Sequence, residues 1–214
     1  MRAIYLTLPA GLALACAGAA LMLAANRPHV EEAASLEAPA RHLVTPAMIR
    51  ETDAAAAKPA PTVVAQDSEG KPVVLGAKNA ARPQFVYFVL DGCPCSYDAE
   101  PLFHKLAKRF SGRVDFVSVT DAPKPRAHEW SVQMLVNYPV VPDPDKKIIH
   151  AYGARASVYS ALLRRDGHIL KMWPGYSAGF LLEMNSAMAK AAGVAEHPFD
   201  PEYAPKVKAT GCSF

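Results

Sequence analysis

Hydrophobic residues change their spacing several times between residues 58 and 193, and each change predicts an element of secondary structure. Short apolar or alternating runs are typical of strands, while apolar residues three and four positions apart are typical of helices. The predicted strands are 62–65, 72–75, 84–90, 113–120, 138–141, 157–163 and 169–173. The predicted helices are 96–110, 127–137, 143–152 and 177–192.

The order of these elements predicts the class of fold. Strands that alternate with helices, followed by a strand pair and a closing helix, favour a three-layer α/β domain over residues 58–193. The run 84–90 is nearly all apolar, as expected of a central strand buried on both faces. The polar turn 67–71, in which Gly70 suits a positive φ, joins the first two strands into an N-terminal β-hairpin.

The first 27 residues have a different pattern, with an apolar run flanked by Arg2 and Arg27. The run is long enough to cross a bilayer core of about 30 Å, so we predict an uncleaved signal-anchor helix. A cleaved signal peptide ending near 17–19 and lipidation at Cys16 are the alternatives. All three alternatives place the remaining chain outside the cytoplasm. The predicted location is the bacterial inner membrane, single pass or lipid-anchored, with the domain facing the periplasm or cell exterior.

Composition adds two flanking segments and excludes one class of partner. Residues 28–57, rich in Ala, Pro and Glu, predict a flexible tether, and residues 194–214 predict a tail without periodicity. The net charge of +3 and the absence of a basic stripe with interleaved aromatics argue against nucleic acid.

The candidate chemistry lies in the sequence Cys93-Pro94-Cys95-Ser96, between the strand 84–90 and the helix 96–110. A helix N-terminus offers free amides and the positive end of the helix dipole, which stabilise a thiolate. Right-handed crossovers place this turn at the carboxyl edge of the sheet, where α/β proteins usually carry their sites. We therefore predict an accessible thiolate, opposed by the nearby charges of Asp91 and Asp98.

The remaining cysteine outside the N-terminal segment is Cys212, in the tail. Together with Cys93 and Cys95 it makes an odd number of thiols, so at least one is free, shared or transiently paired. A Cys93–Cys95 disulfide closes a small strained ring, and strain makes a disulfide more oxidising. A mobile tail that carries Cys212 to either cysteine is the second scheme.

Three segments together resemble the thioredoxin-like superfamily, in its redoxin branch of TlpA-like thiol–disulfide oxidoreductases and AhpC/TSA-like peroxiredoxins. They are PAPTVVAQDSEGKPVVL (59–75), FVYFVLDGCPCSYDAEP (85–101) and LLRRDGHIL (162–170). Phe88 and Pro101 lie at the family's offsets from its first cysteine. The resemblance covers about residues 58–192 and implies a thioredoxin-like three-layer sandwich with an N-terminal β-hairpin extension, preceded by the membrane-anchor helix.

Carried over by position, the resemblance makes Cys93 the attacking cysteine, but Ser96 stands where the family has its second one. Val158 or Tyr159 stands near the place of the family's cis-proline, and the buried acid expected near Tyr87 is absent. We predict catalytic roles for Cys93, Cys95 and Cys212. The predicted substrate-binding residues are Pro94, Ser96, Tyr97, Val158 and Tyr159.

The predicted function is extracytoplasmic thiol–disulfide exchange with a protein partner, without cofactor or metal, in which Cys93 attacks and Cys95 or, second, Cys212 resolves. A thiol peroxidase is the first alternative, although Leu90 stands where peroxiredoxins have Thr or Ser three residues before the reactive cysteine. A Cu(I)-binding module or a non-catalytic scaffold is the other, although neither His150 nor His168 lies where copper chaperones of this fold place their histidine.

Overall fold

The computed structural model describes residues 42–214, so the predicted anchor 1–27 and residues 28–41 of the predicted tether lie outside the described residues. Seven strands and five helices follow one another in this range. The strands are β1 Val63–Gln66, β2 Pro72–Leu75, β3 Gln84–Val89, β4 Asp115–Thr120, β5 Val140–Pro142, β6 Ser160–Leu163 and β7 Ile169–Trp173. Four long helices are α1 Pro46–Asp53, α2 Pro94–Arg109, α3 Lys124–Gln133 and α5 Ala178–Ala192, and the short α4 is Lys147–Ala151.

Five of the strands form one mixed sheet in the order β5-β4-β3-β6-β7. β3 runs parallel to β4 and antiparallel to β6, so it is the central strand, as its apolar run predicts. β1 and β2 pair with each other as a separate antiparallel ribbon. The amide of Ser68 in the turn of this ribbon donates to the carbonyl of Val140, which fixes the ribbon to the far edge of the sheet.

Both faces of the sheet are covered, which accounts for the nearly unbroken apolar run of β3. Phe85 and Tyr87 point to one face, where Tyr87 stacks on Phe103 of α2 at 4.2 Å and residues of α5 complete the cluster. Val86 and Phe88 point to the other face, among residues of α4, β2 and α1. The α/β three-layer prediction is therefore confirmed, and α2 lies against the centre of the sheet.

Left-handed residues shift three predicted boundaries. The strand predicted at 157–163 begins at Ser160 because Val158 has φ +67°, outside the extended region. The helix predicted at 143–152 begins at Lys147 because Lys146 has φ +58°. The helix predicted at 127–137 ends at Gln133, before Leu135 with φ +54°.

Over residues 42–57 the predicted flexible tether is wrong. Thr45 caps α1 through its hydroxyl, Pro46 takes the first helical position, and Thr52 is buried. The amide of Ala57 then donates to the carbonyl of Ile169, which ties this segment to β7. The folded unit thus begins by residue 42 rather than at 58.

Within residues 42–214 no helix is long and apolar enough to span a membrane.

Ser177 is the N-cap of α5, as predicted, and its hydroxyl accepts a hydrogen bond from the amide of Phe180. Replacing this cap in Ser177→Ala leaves that amide without its partner, so we expect a loss of about 1 kcal/mol in the free energy of unfolding. Ser186→Ala, an exposed position inside the same helix, is the matched control and should be neutral or slightly stabilising. Urea denaturation of both variants measures the difference; equal stabilities would contradict the capping role.

Candidate active site

Cys93 is the N-cap of α2, and Cys95 lies inside the first helical turn. The helix begins at Pro94, two residues earlier than predicted, because proline is well suited to the first helical position. Gly92 supplies the turn between strand and helix with φ +73°. The side chain of Cys93 therefore lies at the mouth of the helix, as the sequence predicts.

The prediction of an accessible thiolate is wrong. Cys93 is 2% exposed and Cys95 is 5% exposed. Part of the cover comes from residues 208–214, which we call the C-terminal segment and which lie in the tail predicted to lack periodicity. This segment passes directly over the site and brings Cys212 to Cys93.

Several groups contact the sulfur of Cys93. The Sγ atoms of Cys93 and Cys212 lie 2.8 Å apart, which is about 0.75 Å more than a disulfide bond. The amide of Cys212 donates to Cys93 Sγ at 3.2 Å, and the hydroxyl of Ser157 donates to it at 3.3 Å. Burial raises the pKa of the Cys93 thiol, but the hydrogen bonds from Cys212, from Ser157 and from the backbone of Ser96 outweigh burial and lower the pKa to about 7.

Cys95 has the opposite electrostatic environment. Burial, followed by the charges of Cys93 and Cys212, raises the pKa of Cys95 to about 11. A thiol with that pKa stays protonated at neutral pH, and the thiolate is the form that attacks. Both Cys95 and Cys212 contact Cys93, and the raised pKa makes Cys95 the weaker nucleophile at neutral pH.

Backbone hydrogen bonds fix the C-terminal segment in place. The amide of Gly211 donates to the carbonyl of Ser157, and the amide of Ser157 donates to the carbonyl of Cys212. Ala209 exchanges both of its backbone hydrogen bonds with Tyr176. These pairings place the Cys212 side chain toward Cys93, so its position follows from the backbone.

The loop that carries Ser157 also holds the two residues predicted near the cis-proline position, and residues 42–214 contain no cis peptide bond. Val158 is fully buried in the left-handed region, which is a costly conformation for a β-branched residue, and its amide donates to the carbonyl of Phe88. Tyr159 is also buried. Neither side chain is exposed to a ligand, and Ser157, which the sequence analysis missed, is the residue of this loop that contacts the sulfur.

The other three predicted binding residues, on α2, differ in exposure and in hydrogen-bond partners. Pro94 is exposed, and Ser96 is buried with its hydroxyl accepting from the amide of Leu90. Tyr97 is half-buried, and its hydroxyl accepts from Arg126, which also forms an ion pair with Asp91 at 3.0 Å. The negative charge of Asp91, expected to oppose the thiolate, is therefore paired with a cation.

A buried acid lies below the site, although the family's usual position for one, near Tyr87, lacks it in the sequence. Glu100 is completely buried, two turns after Cys93 on α2, and accepts a 2.6 Å hydrogen bond from the hydroxyl of Tyr138. Burial, opposed by that hydrogen bond, raises the pKa of Glu100 to about 8. Its second oxygen has no hydrogen-bond partner within the described residues. The sequence offers a way to find this buried acid, because Glu100 is a carboxylic acid that interrupts the apolar face of the helix.

Within residues 42–214 no group of three or more His, Cys, Asp and Glu side chains is arranged to hold a metal ion.

Comparisons with known proteins identify a family and a fold. Residues 56–172 match the AhpC/TSA family. No curated protein matches the chain in sequence. Among solved structures, a Chlorobium tepidum protein described as a thiol:disulfide interchange protein superposes with a TM-score of 0.58 at 20% identity, over 64% of this chain and 98% of that one.

Two further structures represent the two activities considered for the site. A secreted disulfide oxidoreductase of Mycobacterium tuberculosis gives a TM-score of 0.51 at 20% identity, over 60% of this chain and 95% of that one. Peroxiredoxin Q of Xanthomonas campestris gives 0.53 at 20% identity, over 70% and 97%. At these identities the likeness shows the fold, and the predicted thioredoxin-like architecture is confirmed.

The hydroxyl of Ser157 should help to set the pKa of Cys93. Removing one donor to the thiolate in Ser157→Ala should raise the midpoint of thiolate formation by about 0.5 to 1 pH unit from its value near 7. Ser160→Ala is the matched control, because this nearby buried hydroxyl has no partner within the described residues. The ultraviolet absorbance of the thiolate, followed against pH, measures both; equal midpoints would contradict the role of Ser157.

Glu100 should make the fold less stable in alkali. Since its pKa is near 8 in the folded state and about 4.3 when unfolded, the unfolded chain releases its proton first and stability falls as pH rises across that interval. Glu100→Gln keeps an acceptor for Tyr138 and removes the buried charge, so at pH 9 it should be more stable than the wild type by on the order of 2–5 kcal/mol. Urea denaturation at acidic and alkaline pH, with exposed Glu69→Gln as control, tests this; a constant difference between the two variants would refute it.

Proposed function

The chain belongs to the AhpC/TSA family, and from that premise we propose that it exchanges thiols and disulfides with a protein partner, using Cys93 to attack and Cys212 to resolve. The observation that carries this proposal is the 2.8 Å separation of the two sulfurs, with the pKa of Cys93 lowered to about 7. At neutral pH a large share of Cys93 is then thiolate, the attacking form.

The exchange balances in two steps. The Cys93 thiolate attacks one sulfur of the partner's disulfide, so a mixed disulfide forms and one partner thiolate leaves. The Cys212 thiolate then attacks the sulfur of Cys93, the mixed disulfide breaks, and the second partner thiolate leaves. The partner gains two electrons and the protein retains a Cys93–Cys212 disulfide. An external dithiol reverses these steps and restores both thiols.

Cys95 is not required in this scheme. Burial is the largest cause of its raised pKa and remains when Cys93 is in an uncharged mixed disulfide, so Cys95 stays largely protonated and is a poor competitor for that disulfide. In this chain Ser96 stands where the thioredoxin motif has its second cysteine, and Cys212 in the C-terminal segment takes the resolving role instead.

A thiol peroxidase is the second candidate, and the hydroxyl of Ser157 on the Cys93 sulfur favours it. Peroxiredoxins use a Thr or Ser beside the reactive thiolate, and here a different loop supplies that hydroxyl. Cys93 would take one oxygen from a peroxide to give a sulfenic acid and an alcohol or water. Condensation with the Cys212 thiol then releases water and gives the same disulfide. Consumption of hydrogen peroxide by the reduced protein distinguishes this reaction from disulfide exchange.

We also propose a cellular location for the protein. The apolar run within residues 1–27 supports an anchor in the bacterial inner membrane, with the domain in the periplasm or cell exterior, where disulfide exchange has substrates.

The three cysteines should differ in their reaction with an aromatic disulfide such as 5,5′-dithiobis(2-nitrobenzoate). In a Cys16→Ser background the reduced protein should release about two equivalents of aryl thiolate, because Cys212 displaces the second from Cys93. Cys212→Ser should release about one and retain the mixed disulfide, and Cys93→Ser should lose the rapid reaction. Cys95→Ser is the matched control and should behave like the parent.

Mass spectrometry of the quenched products identifies each disulfide. A retained mixed disulfide in Cys95→Ser, together with full release by Cys212→Ser, would assign resolution to Cys95 and refute our scheme.

A further inference from the structure

The C-terminal segment lies between two stretches of backbone, as an added strand would. On one side the amide of Val44 donates to the carbonyl of Lys208, and the amide of Thr210 donates to the carbonyl of His42. On the other side the segment pairs with Arg155, Ser157 and Tyr176, which we call the docking strip. Seven backbone hydrogen bonds therefore hold the seven residues 208–214.

The fit is close enough to require glycine on both sides of the contact. A Cβ atom on Gly211 would lie 1.8 Å from the hydroxyl oxygen of Ser157. A Cβ atom on Gly175, beside Tyr176, would lie 1.9 Å from the carbonyl oxygen of Ala209. Since real Cβ atoms do not approach other atoms so closely, any side chain at these positions must push the segment away from the strip.

The segment also occupies the route to Cys93. Its residues Ala209 and Thr210 are buried, and the peptide of Cys212 contacts both Ser157 and the Cys93 sulfur. A partner that brings its own sulfur to Cys93 needs the space that Cys212 fills. A partner that adds its backbone to the strip needs the amide and carbonyl of Ser157, which the segment already uses.

We infer that the C-terminal segment is a resident peptide ligand of its own active site, and that a protein partner reaches Cys93 by displacing it from the docking strip. This inference rests on the proposed exchange function. The chemistry of the strip selects an extended polypeptide whose cysteine follows a glycine, because the partner must repeat the close contact that Gly211 makes with Ser157.

Displacement and return then complete the reaction cycle. When a partner forms the mixed disulfide with Cys93, the segment is off the strip. Its return restores the hydrogen bonds to Ser157, places Cys212 beside Cys93, and removes the partner's backbone from the same atoms. Resolution of the mixed disulfide and release of the partner are therefore one event, driven by competition for one strip.

The net free energy of docking is small enough for a partner to displace the C-terminal segment. A backbone hydrogen bond contributes a net free energy similar in size to the entropy lost when one residue is ordered. With one backbone hydrogen bond for each residue, the segment gains little free energy overall from docking. Apolar contacts of Ala209 and the placement of Lys208 over the ring of Phe180, at 4.9 Å, add to the holding force.

The test uses the full chain with Cys16→Ser and a short peptide disulfide as substrate. Gly211→Val undocks the segment while it leaves the strip intact, so the Cys93 thiolate should form its mixed disulfide at least about tenfold faster. Each rate is divided by the thiolate fraction of that variant, because undocking also removes the hydrogen bonds from Cys212 to Cys93. Ser213→Val, one position away from Cys212 with an exposed side chain, is the matched control and should stay within about twofold of the parent. Gly175→Ala places its added Cβ against the carbonyl of Ala209, so it should undock the segment and accelerate the reaction as Gly211→Val does. Its control is Gly179→Ala, because the nearest atom to that added Cβ is the hydroxyl oxygen of Ser177 at 3.9 Å.

A peptide added in trans supplies the decisive measurement. The hexapeptide Ala-Thr-Gly-Ser-Ser-Phe, which matches residues 209–214 with serine in place of Cys212, should slow the Gly211→Val variant by refilling the strip. The same peptide with valine for glycine should have no effect. Amide hydrogen exchange at Ala209 and Thr210 should accelerate in both undocking variants and in neither control.

The outcomes separate this inference from the function on which it rests. Unchanged mixed-disulfide rates in Gly211→Val and Gly175→Ala, with accelerated amide exchange, would overturn the resident-ligand inference and leave the exchange chemistry intact. No mixed disulfide at Cys93 in any variant, even with the segment undocked, would instead overturn the proposed function.

Discussion

The pairing of Ser157 with the C-terminal segment is the interaction on which the site depends. Through its amide and carbonyl, Ser157 fixes the backbone on either side of the Gly211–Cys212 peptide bond, and through its hydroxyl it donates to the Cys93 sulfur. One residue therefore positions the second thiol, closes the site and stabilises the first thiol as an anion. The burial of Cys93, which would otherwise raise its pKa and make it inert, becomes compatible with reactivity because the covering backbone supplies hydrogen-bond donors.

Burial of this kind would usually argue against a thiol that acts on other proteins. Here the covering element is the C-terminal segment, which is held by backbone hydrogen bonds and carries a cysteine of its own. A lid of core side chains could open only by unfolding the domain, whereas a segment held by backbone pairing can leave and return with few other contacts disturbed. The site combines a dry, preorganised environment with a removable cover.

The sequence predicts the sheet and the place of Cys93 because both follow from local patterns. The spacing and the types of residues predict the buried strand β3 and the N-cap of α5 at Ser177. They do not predict the neighbours of Cys93, because Ser157 and Cys212 are 64 and 119 residues away along the chain and contact Cys93 only through the tertiary structure. The left-handed Val158, a conformation no β-branched residue adopts by preference, is imposed by its surroundings and escapes any propensity argument. Local patterns also predict too long a tether. Residues 42–57 are rich in Ala, and their order comes from contacts with β7 that are distant in sequence.

The amide of Phe214 donates to the carbonyl of Arg155, so the pairing of the C-terminal segment continues two residues past Cys212. A protease that removed residues 212–214 would convert a two-thiol site into a one-thiol site without cutting the domain. An affinity tag fused directly after Phe214 would lie beside the same pairing and could weaken it. Recombinant forms meant to report native redox behaviour should therefore carry their tag elsewhere.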